Sequence, residues 1–271
     1  MSDTFEILCL GNELLIGKIV NSNAQWLANY ITKLGGKVRR ITVVGDDISD
    51  IAAALRESLS RKNAFILTTG GLGPTFDDKT MDAVATALEK PLELNDDALL
   101  MVKNKYQQYE KVTKKKIELT PARLKMAQLP KDSVPIPNPV GTAPAVLSTD
   151  AASTILSLPG VPSEMKAIFE ASVVPLIRRL SRTHVVYEIS LRVTGIIESE
   201  LAPLLDQVMR EIPDVYVKSH PRAAEPIPLL ELHVTTRATS EKDGKDRVEA
   251  AEKMICQLIA EHGGKTSPLK P

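Results

Sequence analysis

Thr68-Thr69-Gly70-Gly71-Leu72-Gly73-Pro74-Thr75-Phe76-Asp77-Asp78-Lys79-Thr80 joins three kinds of local structure. An apolar, strand-like segment, Ala64 to Thr69, runs into three glycines. Two carboxylates follow, and a helical pattern then begins at Thr80 through Met81, Val84, Ala85 and Leu88. Glycines after a strand let backbone N–H groups approach an anion closely, and the next helix start adds partial positive charge. Carboxylates beside such a loop make chemical sense when a divalent metal lies between them and a phosphate. The segment therefore predicts a phosphate-and-metal site.

The flanking sequence supplies the scaffold. Glu6 to Leu10, Val38 to Val44 and Ala64 to Thr69 are apolar or β-branched runs that predict strands. Between them lie two helical stripes: Trp26, Leu27, Tyr30, Ile31 and Leu34, stopped by Gly35-Gly36, and Ile51, Ala52, Leu55 and Leu59, with Ser49 as cap. Apolar strands alternating with helices imply right-handed crossovers and an α/β domain with a mainly parallel sheet. Ligands on such sheets sit at the carboxyl ends of the strands. The loops after Leu10, Val44 and Thr69 are thereby expected on one edge.

Those three loops carry the candidate chemistry. The first is Gly11-Asn12-Glu13, with Gly17-Lys18 and Asn21-Ser22-Asn23 beyond it; the second is Gly45-Asp46-Asp47; the third holds Gly70, Gly71, Gly73, Thr75, Asp77 and Asp78. Glu13, Asp46 and Asp78 can converge on one hard cation with oxygen ligands. The structural alternatives are capping and turn formation for Asp46 and Asp47, and a helix-dipole interaction for Asp77 and Asp78. Gly11 to Lys18 nearly imitates a nucleotide-triphosphate loop. However, its glycines are one residue too far apart, and Ile19 stands where serine or threonine should hold magnesium. An ATPase or kinase is rejected on that ground, and no G-x-G-x-x-G opens a helix.

Further along, Asn95 to Glu110 predicts a helix and Lys111 to Lys116 a basic loop or lid. Thr120-Pro121 is a helix start. Pro130 to Pro144 must be loop or edge strand, and within it Asn138 to Ala145 is a second small-residue loop in which Asn138, Gly141 and Ala143 can approach a ligand. Ala145 to Ser148 and Thr154 to Leu158 form a hairpin, and Pro159 to Glu164 turns into a helix over Glu164 to Leu180 with Ser163 as cap; the tight turn within Leu158 to Met165 is either structural or another anion or ring contact. Composition shifts near Ser181 to His184. Beyond it, strand, helix, strand, strand, helix over Val185–Thr194, Glu198–Arg210, Val215–Ser219, Leu229–Arg237 and Gly244–His262 predict a small α+β domain, with Arg222 to Pro228 an exposed loop. The expected boundaries are 1–180 for the larger domain and 184–265 for the smaller.

Bulk properties exclude several function classes. Of the 271 residues 43% are hydrophobic, enough for a sizeable core, and Lys+Arg and Asp+Glu are both 34, which argues against non-specific nucleic-acid binding. Cys9 and Cys256 sit in separate apolar runs and are expected to be small buried hydrophobes. His184, His220, His233 and His262 show no ligand spacing, which disfavours a zinc site. No signal peptide or membrane-length apolar run is visible, so a cytoplasmic location is expected.

Taken together, Gly11-Asn12-Glu13-Leu14-Leu15 with Gly17, Val44-Gly45-Asp46, Thr69 to Thr75 with Asp77-Asp78 and Thr80, Asn138-Pro139 with Gly141 and Ala143-Pro144, and Leu158 to Pro162 with Glu164-Met165 resemble the molybdopterin-binding (MoaB/MogA-like) fold. The version is that at the N-terminus of the CinA competence/damage-inducible family. Thr194-Gly195-Ile196 with Glu198 to Leu201 is similar to that family's KH-like domain. Its Gly195-Ile196-Ile197-Glu198 lacks the second glycine that RNA-binding KH loops use. Ala145 stands where the family has glycine, and Pro271 ends the sequence without the family's deamidase domain, so amidohydrolase activity is expected to be absent. The resemblance implies a metal-dependent (magnesium, manganese or cobalt) pyrophosphatase acting on ADP-ribose or FAD. In that role Asp46 and Asp78 hold the metal, Glu13 serves as ligand or water-orienting base, and Lys18 and Lys79 meet phosphates. The alternatives are a molybdopterin-binding protein of molybdenum cofactor synthesis and a non-catalytic binding module. A homo-oligomer is expected, since the small domain has limited core of its own.

Overall fold

The computed structural model describes residues 4–114, 116–151, 153–180, 185–221 and 229–269. Both the Arg222 to Pro228 loop and the composition shift at Ser181 to His184 lie outside them. The chain divides into two compact units, Met1–Thr32 with Gly36–Arg182, and Lys33–Gly35 with Thr183–Pro271.

In the first unit the order is β1 (Thr4–Leu10), α1 (Asn12–Leu15), α2 (Ser22–Lys33), β2 (Lys37–Val44), α3 (Ile48–Ser60), β3 (Phe65–Thr69), α4 (Thr80–Leu88), β4 (Leu92–Leu94), α5 (Asp96–Thr113), α6 (Pro121–Lys125), β5 (Gln128–Pro130), β6 (Val134–Ile136), β7 (Ala145–Thr149), β8 (Thr154–Leu158), α7 (Pro162–Ile168), a π-helical turn (Phe169–Val173) and α8 (Val174–Leu180). Six strands form one sheet in the order β2-β1-β3-β8-β7-β6. β2, β1, β3 and β8 run parallel, while β7 and β6 are antiparallel additions at one edge. The sheet is mainly parallel, as expected.

Period-two alternation along the strands fills two faces. Leu8, Leu10, Ile66 and Ile155 pack with Ile51, Ala52 and Leu55 of α3 and Ala83, Val84 and Ala87 of α4. Phe5, on the opposite face, stacks on Phe65 at 4.8 Å. Gly36 fits where a Cβ would strike Phe5 and Ile31 of α2. On the same helix Trp26 and Tyr30 meet the edge of Phe169 at 5.6 and 5.5 Å. The result is three layers, helix on sheet on helix.

Several local expectations change. The cap of α3 is Asp47, not Ser49: its carboxylate accepts the N–H groups of Ser49 and Asp50 at 2.8 and 3.2 Å, and a carboxylate in the first turn also meets the helix dipole. Those bonds, the Ser49 hydroxyl first, hold the Asp47 carboxyl below its ordinary range. The basic stretch after Glu110 is not all loop, since α5 continues to Thr113 and ends at Lys114 with a left-handed backbone, φ 56°. The helix expected from Glu164 starts at Pro162, with proline in its first turn and Val161 rather than Ser163 at the cap. β4 and β5 pair as a two-stranded ribbon.

In the second unit, β9 (Val185–Thr194), α9 (Glu198–Glu211), β10 (Val215–Pro221), β11 (Leu229–Ala238), α10 (Glu241–Glu261) and β12 (Lys265–Leu269) build a four-stranded antiparallel sheet in the order β10-β11-β9-β12. Its core joins Leu191, Val193, Val217, Leu232 and Val234 to Leu201, Leu205 and Val208 of α9 and to Ala251, Ile255 and Ile259 of α10. β12 adds a strand to the β-α-β-β-α expectation. Among the described residues no helix is long and apolar enough to cross a membrane.

Candidate functional site

Four parallel strands deliver four loops to one edge, and backbone bonds lock them together. Gly11 N–H, after β1, bonds to Val44 O of β2 at 3.0 Å, and Gly70 N–H, after β3, bonds to Leu158 O of β8 at 3.0 Å. Gly70 has φ 114° and Gly71 φ 64°, both in the left-handed range. A Cβ on Gly70 would collide with the Leu10 carbonyl oxygen, and one on Gly71 with the Thr80 hydroxyl. That hydroxyl, fully buried, donates to Gly70 O at 2.7 Å and ties the start of α4 back to the loop. Gly70→Ala is therefore expected to cost about 1–3 kcal/mol of stability from overpacking and backbone strain, read as a shift in the urea midpoint. An unchanged midpoint would show that the loop can relax.

The loops border a cleft of about 480 Å³ lined by Leu10, Gly11, Glu13, Asp46, Gly70, Gly71, Leu72, Gly73, Pro74, Thr75, Asp77, Asp78, Tyr106, Met126, Thr142, Ala143, Pro159, Gly160, Val161 and Glu164. Glu13, Asp46 and Asp78 thus reach one cavity, from turns more than thirty residues apart in sequence. Each has a visible reason for its placement. Asp46 Oδ2 accepts the Asn12 N–H at 2.9 Å, so the second loop closes the open start of α1. Asp78 Oδ2 accepts the Thr75 N–H at 2.8 Å and the Thr75 hydroxyl. Asp77 also accepts from that hydroxyl, which, before its backbone bond and the Lys125 and Lys79 charges, holds its carboxyl below the usual range. Lys125 Nζ in turn donates to Thr75 O at 3.0 Å.

Other expected contacts fall elsewhere. Asn12 does not line the cleft; its side-chain Oδ1 accepts the Asp46 N–H at 3.4 Å. Asn138 and Gly141 do not line it either. Asn138 is 4% exposed and saturated: Nδ2 donates to Ala143 O and Glu164 Oε2, and Oδ1 accepts from Val140 and Gly141. Its role is to fold the loop. Lys18 and Lys79 are not among the lining residues, nor is any described residue of Lys111 to Lys116. Among the described residues no three His, Cys, Asp or Glu side chains come together closely enough to cage a metal, so Glu13, Asp46 and Asp78 share the cavity without forming a ready-made ligand set. Cys9 is buried, which pushes its thiol pKa up against a hydrogen bond from Asn21, as suits an inert packing residue.

Residues absent from the expected site also line the cleft. Glu164 comes from the first turn of α7, Gly160 from the turn after β8, Tyr106 from α5, and Met126 and Thr142 from flanking segments. Asn23 secures the β8 turn by donating to Gly160 O at 2.8 Å and Thr69 Oγ1 at 2.9 Å. The turn from Leu158 to Met165, open in sequence to either a structural role or a further anion or ring contact, supplies Pro159, Gly160, Val161 and Glu164 to the lining, because β8, read as a hairpin strand, is also a fourth parallel strand whose carboxyl end faces this edge.

Comparison with known proteins agrees with the fold. The family model described as "Probable molybdopterin binding domain" matches residues 6–179. A protein of Pyrobaculum aerophilum is 46% identical over 256 residues, covering 93% of each chain. A Thermoplasma volcanium protein is 40% identical over 246 residues, 90% of this chain and 91% of its own. The crystal structure of the protein CinA, with unknown function, from Thermoplasma acidophilum is 39% identical, covers 65% of this chain and 98% of that one, and superposes with a TM-score of 0.59. The chain belongs to the molybdopterin-binding domain family. Within that family it is CinA-like.

Proposed function

We propose that the cleft binds a phosphate-bearing small molecule of the pterin type through a divalent cation held by Asp46 and Asp78. One observation carries this reading: Glu13, Asp46, Asp77, Asp78 and Glu164 all line the cleft, and among the described residues no lysine, arginine or histidine does. Phosphate oxygens facing those carboxylates are repelled unless a cation intervenes. Magnesium is held by one or two carboxylates with waters and ligand phosphates rather than by an all-protein cage, which fits acids that share a cavity without clustering. Asp46 and Asp78 each have one oxygen anchored by a backbone N–H, leaving the other for the cation. The cation would neutralise phosphate charge. Gly70, Gly71 and Gly73 let the backbone approach the ligand, and the apolar lining excludes water from its ring.

The test is calorimetric titration with inorganic pyrophosphate in magnesium, manganese, cobalt or EDTA. Binding that requires a metal is expected. Equal binding in EDTA, or none with any metal, overturns the reading.

A second reading, hydrolysis of the phosphoanhydride of ADP-ribose or FAD, is favoured by Glu13, a further acid in the cleft that can orient a water once Asp46 and Asp78 are engaged. AMP release from ADP-ribose that disappears in Asp78→Ala supports it; ADP-ribose surviving intact with every metal rejects it.

A further inference from the structure

The second unit carries a pair of metal-ligating side chains on one face of its sheet. Strand alternation sends Val215 and Val217 of β10 and Leu232 and Val234 of β11 into the core with α9 and α10, so His220 and His233 point off the opposite side of the sheet. β10 and β11 are antiparallel, with Lys218 opposite His233 and His220 opposite Glu231. The two histidines are therefore diagonal neighbours. Their ring centroids lie 5.0 Å apart, with the ring planes at 80°. They show no ligand spacing in sequence because the pairing of two strands, not one turn or helix, brings them together.

The neighbours of His233 decide which of its nitrogens is available. Nδ1 lies 3.4 Å from Glu188 Oε1 and 3.1 Å from Ser190 Oγ, both on β9. A carboxylate only accepts hydrogen bonds, so Nδ1 carries the proton and Nε2 keeps its lone pair. β9 and β10 flank β11 on opposite sides. Nδ1 is thus drawn toward β9, and the rest of the ring is left toward His220. A carboxylate behind a histidine N–H fixes the tautomer of a metal ligand and raises its basicity. His220 is exposed, so its ring can turn. Two imidazoles bonded to one metal at about 2.0–2.1 Å set their centroids about 4.5 Å apart at a right angle and about 5 Å apart at a tetrahedral one, so the separation found here needs little change. We propose that His220 and His233 chelate one divalent transition-metal ion of the zinc, nickel or copper type, with water filling the remaining positions and Glu188 orienting His233. Imidazole suits those metals, whereas magnesium and calcium take oxygen. Lys218, exposed and opposite His233, further disfavours an ion held by charge alone. With two protein ligands the site is a clip rather than a cage. It ties β10, at the edge of its sheet, to β11, and an ion that binds only the paired strands stabilises the folded chain.

The test is calorimetric titration of the whole chain with zinc and with nickel chloride, magnesium being present throughout to occupy the acidic cleft. Wild type is expected to bind either metal and to melt at a higher temperature with it. His220→Ala and His233→Ala should each weaken that binding at least about tenfold, since even an outer-shell partner costs that much, and should abolish the rise in melting temperature. Glu188→Ala should weaken it by about tenfold through His233. His262→Ala, which removes a histidine at the end of α10, and Asp78→Asn, which removes a cleft acid, should leave it unchanged. One equivalent of copper should show electron-spin-resonance couplings to two imidazole nitrogens. Unaltered affinity in either variant of the pair, an equal loss in Asp78→Asn, or coupling to fewer than two nitrogens overturns the proposal. The copper spectrum is read on wild type, so it decides the matter even where a variant misfolds. Failure here leaves the metal–phosphate reading of the cleft standing, because pyrophosphate binding tests that reading separately.

Discussion

Asp78→Asn is expected to weaken magnesium-dependent pyrophosphate binding by at least about 100-fold, the upper end of what losing an outer-shell partner costs a metal site, while the melting temperature stays close to the parent's. The two halves of that expectation have separate causes. Asparagine keeps an oxygen that can accept the Thr75 N–H now bonded to Asp78 Oδ2, so the turn survives. What it removes is the charge that a cation needs. Asp47→Ala serves as the control. That residue caps α3 and is not among the cleft's lining residues, so its loss should lower the melting temperature and leave binding intact. Adjacent Asp46 and Asp47 thus belong to different parts of the physics, and the pair of variants separates them. If Asp78→Asn melts far below the parent with binding retained at the higher-stability end of the titration, Asp78 is a turn residue and not a ligand.

How much of this was legible in the sequence depends on which interactions set each position. α4 was readable to the residue, Thr80–Leu88, because its apolar spacing and the glycine run before it are local signals. The three acidic loops were readable as neighbours because parallel strands fix where their carboxyl ends lie. The reciprocal bonds between Asn12 and Asp46 were not, although both residues had been singled out, because thirty-four positions separate them. Glu164 lay in a turn legible as either structural or a ligand contact, but Tyr106 sits on a helix whose rotation about its axis is set by packing, and no period in the sequence says which side chain will overlook a cavity. Asn138 was readable as special but not in its role. A buried amide with every hydrogen-bonding position filled looks, in sequence, the same as one that waits for a ligand. β12, with Pro268 and polar neighbours, carries little strand signal of its own and forms because β9 offers it an edge.

The largest stability effect is expected away from the cleft. Glu6 lies in β1, 1% exposed, at the register shift between β1 and β2. Its carboxylate accepts Arg61 Nε at 2.6 Å, Arg61 Nη2 at 2.7 Å and the Ser58 hydroxyl at 2.8 Å. Burial pushes the Glu6 carboxyl pKa up, but the Arg61, Ser58 and Asn63 hydrogen bonds and the Arg61 charge outweigh it, leaving the group below its ordinary value. A carboxylate depressed in the folded state contributes stability above its unfolded pKa of about 4.3, and that contribution is lost as pH falls through the folded value. Arg61→Ala leaves a buried anion without its cation and is expected to cost about 3–5 kcal/mol near neutral pH, because breaking one side of a buried pair costs more than the pair itself contributes. In the variant the balance reverses: burial now dominates, the carboxyl pKa rises above the unfolded value, and Glu6 takes up a proton on folding. The variant's penalty should therefore shrink as the solution is acidified toward about pH 5, whereas Glu6→Gln in the same background, having no charge to strand, should show no such recovery. Urea midpoints of the three proteins at both pH values decide it. A penalty below about 1 kcal/mol, the ordinary value of an exposed ion pair, would mean that water reaches Glu6 once Arg61 is gone, and that the pair closes the strand without carrying it.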